Sequence, residues 1–229
     1  MTNSMIRSAY RLVSELLLHP EDREPRIVAE CTGALDAAPS PIREPIQRFM
    51  VDPVTNSRDE YVRTLELSPP CPLYLGAHLF DEPTTCRNVG SSPRNAYMVE
   101  LAAIYRHFGL QLAARELPDY LPVIVDFLAA SLDFDDRDGI GLRRRLLERL
   151  VRPALAPLRG GLEKLESPYA LLVDALESIL ELDLVRLSDR PAWSPADCAE
   201  PPVRPLRFVR PSAAGSLRRP APIQSEVRS

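Results

Sequence analysis

The sequence has little glycine, few histidines and no long apolar run, and each shortage excludes a class of protein. With 9 glycines and 3 histidines in 229 residues, it contains no GxGxxG loop, P-loop, HExxH zinc motif or GxSxG nucleophile turn. Apolar stretches stay shorter than the roughly 20 residues that a membrane span needs. The start of the chain also lacks the basic and apolar regions of a secretory signal. We therefore expect a cytoplasmic protein with no membrane span and no enzymatic activity.

The four cysteines do not have the spacing of a zinc site, because no CxxC pair or Cys/His quartet occurs. Cys71, His78 and Cys86 form one triplet that could supply three ligands. Buried thiols and a lone polar imidazole are the commoner arrangement. We therefore expect no metal and no cofactor.

Charge is divided unevenly along the chain. Residues 1–187 hold 21 basic and 28 acidic residues, whereas residues 188–229 hold seven arginines and four acids. An acidic main part repels phosphates, which argues against nucleic acid as a partner and favours a basic one. The arginine-rich part also has eight prolines and no helical period. We predict a domain over residues 1–187 and a mostly disordered, proline-rich tail over residues 188–229.

Apolar residues recur at helical spacing along most of the chain, and the alternating pattern of strands is hard to find. The first apolar stripe runs from Ile6 to Leu17 and is ended by Pro20. Cap and proline signals predict further helix starts at Pro25, Ser40-Pro41, Ser57 or Asp59, Ser92-Pro93, Pro153 and Ser167-Pro168, with a helix end at Gly109. These signals predict an all-α protein with a single multi-helix domain.

The segment RELPDYLPVIVDFLA, residues 115–129, places an acid between two prolines at the start of an apolar helix. Pro118 forces the preceding residue into an extended conformation. Asp119 then stands where an N-cap belongs, and Pro122 falls in the first turn, where its missing N–H costs nothing. One interpretation is purely structural, namely a stiff and well-capped start for a central helix.

A second interpretation concerns the acids along that helix. Asp119, Asp126 and Asp133 are seven residues apart and share a face. Small residues lie between them, namely Pro122, Val123, Ala129 and Ala130. This pattern predicts a shallow acidic face on which an apolar peptide bearing arginines could lie. The alternative is a solvated surface without a ligand.

Four segments carry a resemblance to a known family. They are VDPVTNSRDEYVRTLEL (51–67), CPLYLGAHLF (71–80), GLQLAARELPDYLPVIVDFLA (109–129) and ESPYALLVDAL (166–176). In this order and spacing, the sequence resembles the nitrate reductase molybdenum-cofactor assembly chaperones, the NarJ-like branch of the TorD, DmsD and NarJ redox-enzyme maturation chaperones. The signature loop of that family usually reads ELPDHLP, and Tyr120 stands here in place of its histidine.

The resemblance implies an all-helical cytoplasmic chaperone that is not an enzyme. Its partner would be the N-terminal segment of a molybdoenzyme catalytic subunit, held while cofactors are inserted and before membrane docking or export. Molybdenum-cofactor delivery proteins are further implied partners. The peptide-binding residues it implies are Glu116, Leu117, Pro118, Asp119, Tyr120, Pro122, Asp126, Tyr74, His78 and Phe80. Because Tyr120 removes an imidazole, we expect peptide contact without proton chemistry at the loop.

Two alternatives remain open from the residues alone. By the resemblance, the CPLYLGAHLF segment should lie near the signature loop and supply apolar walls to a peptide groove, but it could instead be a buried helix that merely packs. The same groove could serve a helical adaptor or regulatory protein that binds an unrelated basic amphipathic peptide. An enzyme would have to use carboxylates alone, with Asp119 and Asp126 as the pair to test.

Overall fold

The structure is a computed structural model that describes residues 3–66, 71–81, 92–112, 116–134, 137–188 and 204–206. Within these ranges the predicted all-α class is confirmed, and one short pair of strands is added. None of the described helices combines the length and the apolar character that crossing a membrane requires.

The first six helices are α1 (Asn3–Leu16), α2 (Pro25–Ala34), α3 (Ser40–Val51), α4 (Arg58–Tyr61), α5 (Gly76–Leu79) and α6 (Pro93–His107). The remaining helices are α7 (Leu121–Ala130), α8 (Arg137–Arg145), α9 (Arg152–Lys164) and α10 (Tyr169–Ser188). Helices α4 and α8 continue as π-helical turns over Val62–Glu66 and Leu146–Val151, and short 3₁₀ turns lie at Pro20–Asp22, Leu35–Ala37, Pro53–Asn56 and Ser131–Asp133.

Most helix boundaries lie where the cap and proline signals predict them. Pro25 and Pro93 occupy the first positions of α2 and α6, where a missing N–H is not needed. The Ser57 hydroxyl accepts a hydrogen bond from Glu60 N–H at 3.3 Å and so caps α4. Gly109 follows α6 with a φ of 66°, the left-handed conformation that ends many helices.

Helix α7 lies at the centre of the bundle. It packs against α1, while α10 packs against α1, α3 and α9. Residues 121–125 and 127–129 are all buried, so this helix has almost no solvent face. The Ser14 hydroxyl on α1 donates to the Pro122 carbonyl at 3.0 Å, and this bond joins α1 to the first turn of α7.

Two short strands, which the sequence did not predict, pair in parallel. Strand β1 (Leu110–Leu112) follows Gly109, and strand β2 (Arg204–Leu206) comes from the predicted tail. Three residues are too few for an alternating pattern to be recognised. The rest of residues 189–229 lies outside the described residues, so the predicted domain boundary and the disorder of the tail stay predictions.

A buried ionic network joins α1, α8 and α10. Asp183 is fully buried, and its carboxylate accepts hydrogen bonds from the guanidinium of Arg143 and, at 3.1 Å, from the hydroxyl of Tyr10. Arg186 donates to the same carboxylate at 3.0 Å. Arg143 also donates to the Ser131 hydroxyl. Because both charges are buried, the attraction between them offsets the cost of removing each from water.

We predict that Asp183→Asn lowers the free energy of unfolding by about 3 to 5 kcal/mol, because it leaves the Arg143 guanidinium buried without a countercharge. The matched control is Glu148→Gln, which removes a carboxylate that pairs with Arg144 on an exposed helix face. That change should cost less than about 1 kcal/mol. Urea unfolding followed by circular dichroism measures both, and equal effects of the two substitutions would contradict the assignment.

Candidate functional site

The signature loop is joined to the segment before α5 by backbone hydrogen bonds. Leu75 N–H donates to the Asp119 carbonyl at 2.9 Å, and Leu121 N–H donates to the Leu73 carbonyl at 2.8 Å. Between them, Tyr74 and Tyr120 form an antiparallel bridge. The predicted proximity of CPLYLGAHLF and ELPDYLP therefore has a specific form, a short two-stranded contact.

The paired tyrosines carry a carboxylate beside them. The ring centroids of Tyr74 and Tyr120 lie 5.2 Å apart, and the Tyr74 hydroxyl donates to Glu116 Oε1 at 3.0 Å. The hydroxyls of Tyr120 and Tyr61 lie 3.4 Å apart. Leu117, which follows Glu116, is 42% exposed. We call Tyr74, Glu116, Leu117 and Tyr120 the tyrosine patch.

The buried side chain of Asp119 anchors the loop that carries the tyrosine patch. It is fully buried, and its Oδ2 atom accepts a hydrogen bond from Gly76 N–H at 3.2 Å and another from Arg94 Nε at 3.0 Å. The Arg94 guanidinium also lies over the Tyr74 ring, 5.9 Å from its centroid. Among the described residues, Asp119 Oδ1 has no hydrogen-bond partner. One carboxylate oxygen thus ties the loop to both α5 and α6.

The prediction that Asp119 caps α7 is wrong. The residue at the N-cap position is Tyr120, and no side chain caps the helix there. Asp119 lies one residue earlier, in the turn that begins at Pro118. Its side chain is directed to the first residue of α5 instead.

The prediction of an exposed acidic face along α7 is also wrong. Asp119 is buried, Asp126 is half-buried on α7, and the exposed Asp133 is ion-paired with Arg7. Three of the four small residues expected to leave room there, namely Pro122, Val123 and Ala129, are buried. The reason is the central position of α7, which neighbouring helices cover on nearly every side.

The remaining predicted residues lie around the patch in structural contacts. The Pro118 carbonyl accepts a hydrogen bond from the Tyr105 hydroxyl at 2.8 Å. His78 Nε2 donates to the Pro72 carbonyl at 2.7 Å. Phe80 is half-buried, with its ring centroid 5.5 Å from that of Tyr97. Through these contacts His78 and Phe80 join neighbouring segments of the chain.

Beside the predicted Glu116, the structure adds two acids that sequence reasoning missed, Glu66 and Asp22. Burial raises the pKa of Tyr120 to about 12, and the negative charges of Glu116, Glu66 and Asp22 act in the same direction. Glu66 and Asp22 are exposed and come from segments far from the loop in sequence. Nothing in the local pattern around them points to the loop. The acidic surroundings of the site are therefore these three carboxylates, in place of a stripe on α7.

The candidate metal triplet is not assembled within the described residues. Cys86 lies outside them, and no group of three or more His, Cys, Asp or Glu in the described ranges is placed to hold a metal ion. The Cys71 thiol is buried and lies 3.4 Å from the Leu158 carbonyl.

We predict that Gly76→Ala destabilises the protein by about 1 to 3 kcal/mol, because the added methyl group overpacks the site. A Cβ atom at this position would lie 2.6 Å from Asp119 Oδ2 and 2.8 Å from Arg94 Cγ. Gly33 offers a matched control, since a Cβ atom there meets nothing within 4 Å. Gly33→Ala in α2 should instead stabilise by about 0.5 to 1 kcal/mol. Chemical denaturation measures both changes in the free energy of unfolding, which should have opposite signs. An unchanged stability of Gly76→Ala would contradict the close packing of Asp119 and Arg94 against Gly76.

We predict that stability falls as the pH rises above about 10. All 7 tyrosines have a pKa raised by burial. Unfolded tyrosines ionise near pH 10, so each buried one held neutral by folding costs about 1.4 kcal/mol per pH unit above that value, and the part-exposed Tyr74 costs less. Phenolate absorbance should therefore appear together with loss of helical circular dichroism. Ionisation near pH 10 in a chain that stays helical would contradict this.

Comparison with known proteins identifies the family. The family model for the nitrate reductase delta subunit matches residues 30–155, which contain the whole tyrosine patch. Two curated relatives come from Escherichia coli strain K12. The probable nitrate reductase molybdenum cofactor assembly chaperone NarW is 43% identical over 86 residues, 38% of this chain and 34% of that protein. The nitrate reductase molybdenum cofactor assembly chaperone NarJ is 38% identical over 86 residues, 38% of this chain and 33% of that protein.

The matched segments thus span about a third of the length of these relatives. The family model covers more than half of this chain, and the resemblance drawn from the four sequence segments is confirmed. On this evidence the chain belongs to the nitrate reductase delta subunit family and is NarJ-like.

Proposed function

We propose that the protein is a chaperone that binds the N-terminal segment of a molybdoenzyme catalytic subunit, of nitrate reductase or a related enzyme. It assists molybdenum-cofactor insertion and assembly before the client docks at the membrane or is exported. The family and the similarity to the nitrate reductase assembly chaperones NarW and NarJ support the client class. The observation that carries the binding site is the tyrosine patch, where two paired rings, a carboxylate and an exposed leucine meet in one loop contact.

The patch has the chemistry to bind an arginine within an apolar peptide. A guanidinium stacks on tyrosine faces and donates to carboxylates in the same geometry. The carboxylate of Glu116 stands beside the ring of Tyr74, and the negative charges of Glu66 and Asp22 act on the Tyr120 hydroxyl. Leu117 adds an exposed apolar surface next to them. A basic and apolar client segment fits these features better than an acidic or purely polar one.

The site is held in place before any client arrives. Backbone hydrogen bonds and the Asp119 carboxylate fix the loop against α5 and α6. A loop that is already ordered loses little conformational entropy on binding. Pro118 contributes to the same rigidity because its ring fixes the backbone angle φ. Asp119 therefore acts in this proposal as a positioning residue and does not itself contact the client.

Client binding should not depend on a proton at the loop. Tyr120 stands in the histidine position of the family motif, and burial raises its pKa to about 12. It is therefore neutral throughout the physiological pH range.

We further propose a single chaperone domain over residues 1–187 that acts in the cytoplasm, with molybdenum-cofactor delivery proteins as additional partners.

The experiment is calorimetric titration of the full chain with synthetic N-terminal peptides of candidate molybdoenzyme catalytic subunits. We expect Glu116→Gln to weaken binding about tenfold, because it removes one charge from a charge-assisted contact. Glutamine keeps an oxygen that can accept the hydrogen bonds from the Tyr74 hydroxyl and from Leu117 N–H, so the loop should stay folded.

The matched control is Glu163→Gln on α9, which removes an exposed charge and should leave the affinity unchanged. An unrelated basic amphipathic peptide is the second control. Equal loss of affinity in both variants would disprove the tyrosine patch as the binding site. Equal binding of the unrelated peptide would favour a general helical adaptor over a dedicated chaperone.

A further inference from the structure

Strand β1 has a partner from the same chain. In the parallel register, Leu110 pairs with Arg204, Gln111 with Pro205 and Leu112 with Leu206. Leu110 is buried, Gln111 is exposed and Leu112 is half-buried. β1 follows the end of α6 and leads along the chain toward Glu116, where the tyrosine patch begins. The edge of β1 thus carries an extended segment of the same chain and lies near the patch in sequence.

The proline at the centre of β2 fits this register. In each residue pair of a parallel ladder, one residue makes hydrogen bonds to the other strand through both its N–H and its C=O group, and the other residue makes none within that pair. Pro205 has no N–H, so in the middle pair Gln111 is the residue that uses both groups. Its N–H group reaches the Arg204 carbonyl, and its carbonyl accepts from Leu206 N–H. The edge of β1 therefore accepts an extended segment with proline at this place without leaving a donor unpaired.

The segment that fills this edge has the chemistry proposed for the client. The sequence that surrounds Arg204–Leu206, residues 201–225, contains five arginines and no acid. Residues 1–187 carry an excess of seven acids, so the segment and the body have complementary charge. An extended peptide that adds to a strand edge gains its affinity from main-chain hydrogen bonds and its selectivity from side chains. The tail therefore supplies the same main-chain groups and basic side chains that a basic client segment would supply.

We propose that the edge of β1 is a strand-docking site for extended basic peptides and that Arg204–Leu206 fills it until the client segment displaces it. The identity of the client rests on the proposed function, whereas docking of the tail segment does not. The tail then competes with the client at a high effective concentration, because both ends of the contact belong to one chain. Release of the tail would accompany client capture.

The first test uses Leu206→Pro in the full chain, because this change removes the N–H group that donates to the Gln111 carbonyl. We expect the amide of Gln111 to exchange with solvent about tenfold faster or more, since its own bond to Arg204 is lost with the strand. Ala214→Pro, a proline placed beyond β2, is the matched control and should leave Gln111 unchanged. Unchanged exchange in Leu206→Pro overturns the proposal.

The second test adds the tail segment as a separate peptide, PPVRPLRFV, residues 201–209. It should bind the Leu206→Pro chain and bind the unaltered chain at least about tenfold more weakly, because there the edge is already occupied. The same peptide with proline in place of Leu206 should bind neither chain. Equal binding of the two peptides to the Leu206→Pro chain overturns the strand-docking site.

The third test titrates both chains with the N-terminal peptides of candidate catalytic subunits. We expect about tenfold tighter binding to Leu206→Pro than to the unaltered chain or to Ala214→Pro. Faster exchange at Gln111 with unchanged client affinity would show that the client docks elsewhere and would overturn the competition. If client peptides bind no chain while PPVRPLRFV behaves as expected, the proposed function is wrong and the docking site stands.

Discussion

The buried carboxylate of Asp119 is the contact on which the candidate site depends. Its Oδ2 atom receives Gly76 N–H and Arg94 Nε, so a single oxygen joins the signature loop to α5 and α6. A charge without solvent is stable only when paired, and Arg94 supplies the countercharge. Because Arg94 also lies over the Tyr74 ring, the same pair positions one wall of the tyrosine patch.

The rest of the bundle supports this contact from the other side. Helix α7 begins directly after the loop and is buried along nearly all its length, so its first turn cannot move without disturbing the core. A second buried carboxylate, that of Asp183, joins α1, α8 and α10. The loop is thus exposed on one face and anchored on the other.

The sequence predicted local features well because they depend on neighbouring residues. Prolines at helix starts, the Ser57 cap and the Gly109 helix end all act within a few positions. The partners of Asp119 lie 43 and 25 residues away along the chain, and no local pattern pairs them. Asp119, Asp126 and Asp133 are spaced by seven residues, but only Asp126 lies on α7, and the spacing could not reveal that neighbouring helices cover that face. The β1–β2 pair likewise joins distant segments through backbone groups.

The most direct test of the account is hydrogen exchange at the amides of Leu75 and Leu121 in Asp119→Asn. Asparagine can still accept from Gly76 N–H, but it gives Arg94 no countercharge. We expect both amides to exchange about tenfold faster or more than in the unaltered chain, while amides in the core of α10 keep their protection. Unchanged exchange at Leu75 and Leu121 would show that the loop is held without the buried charge and would contradict the account.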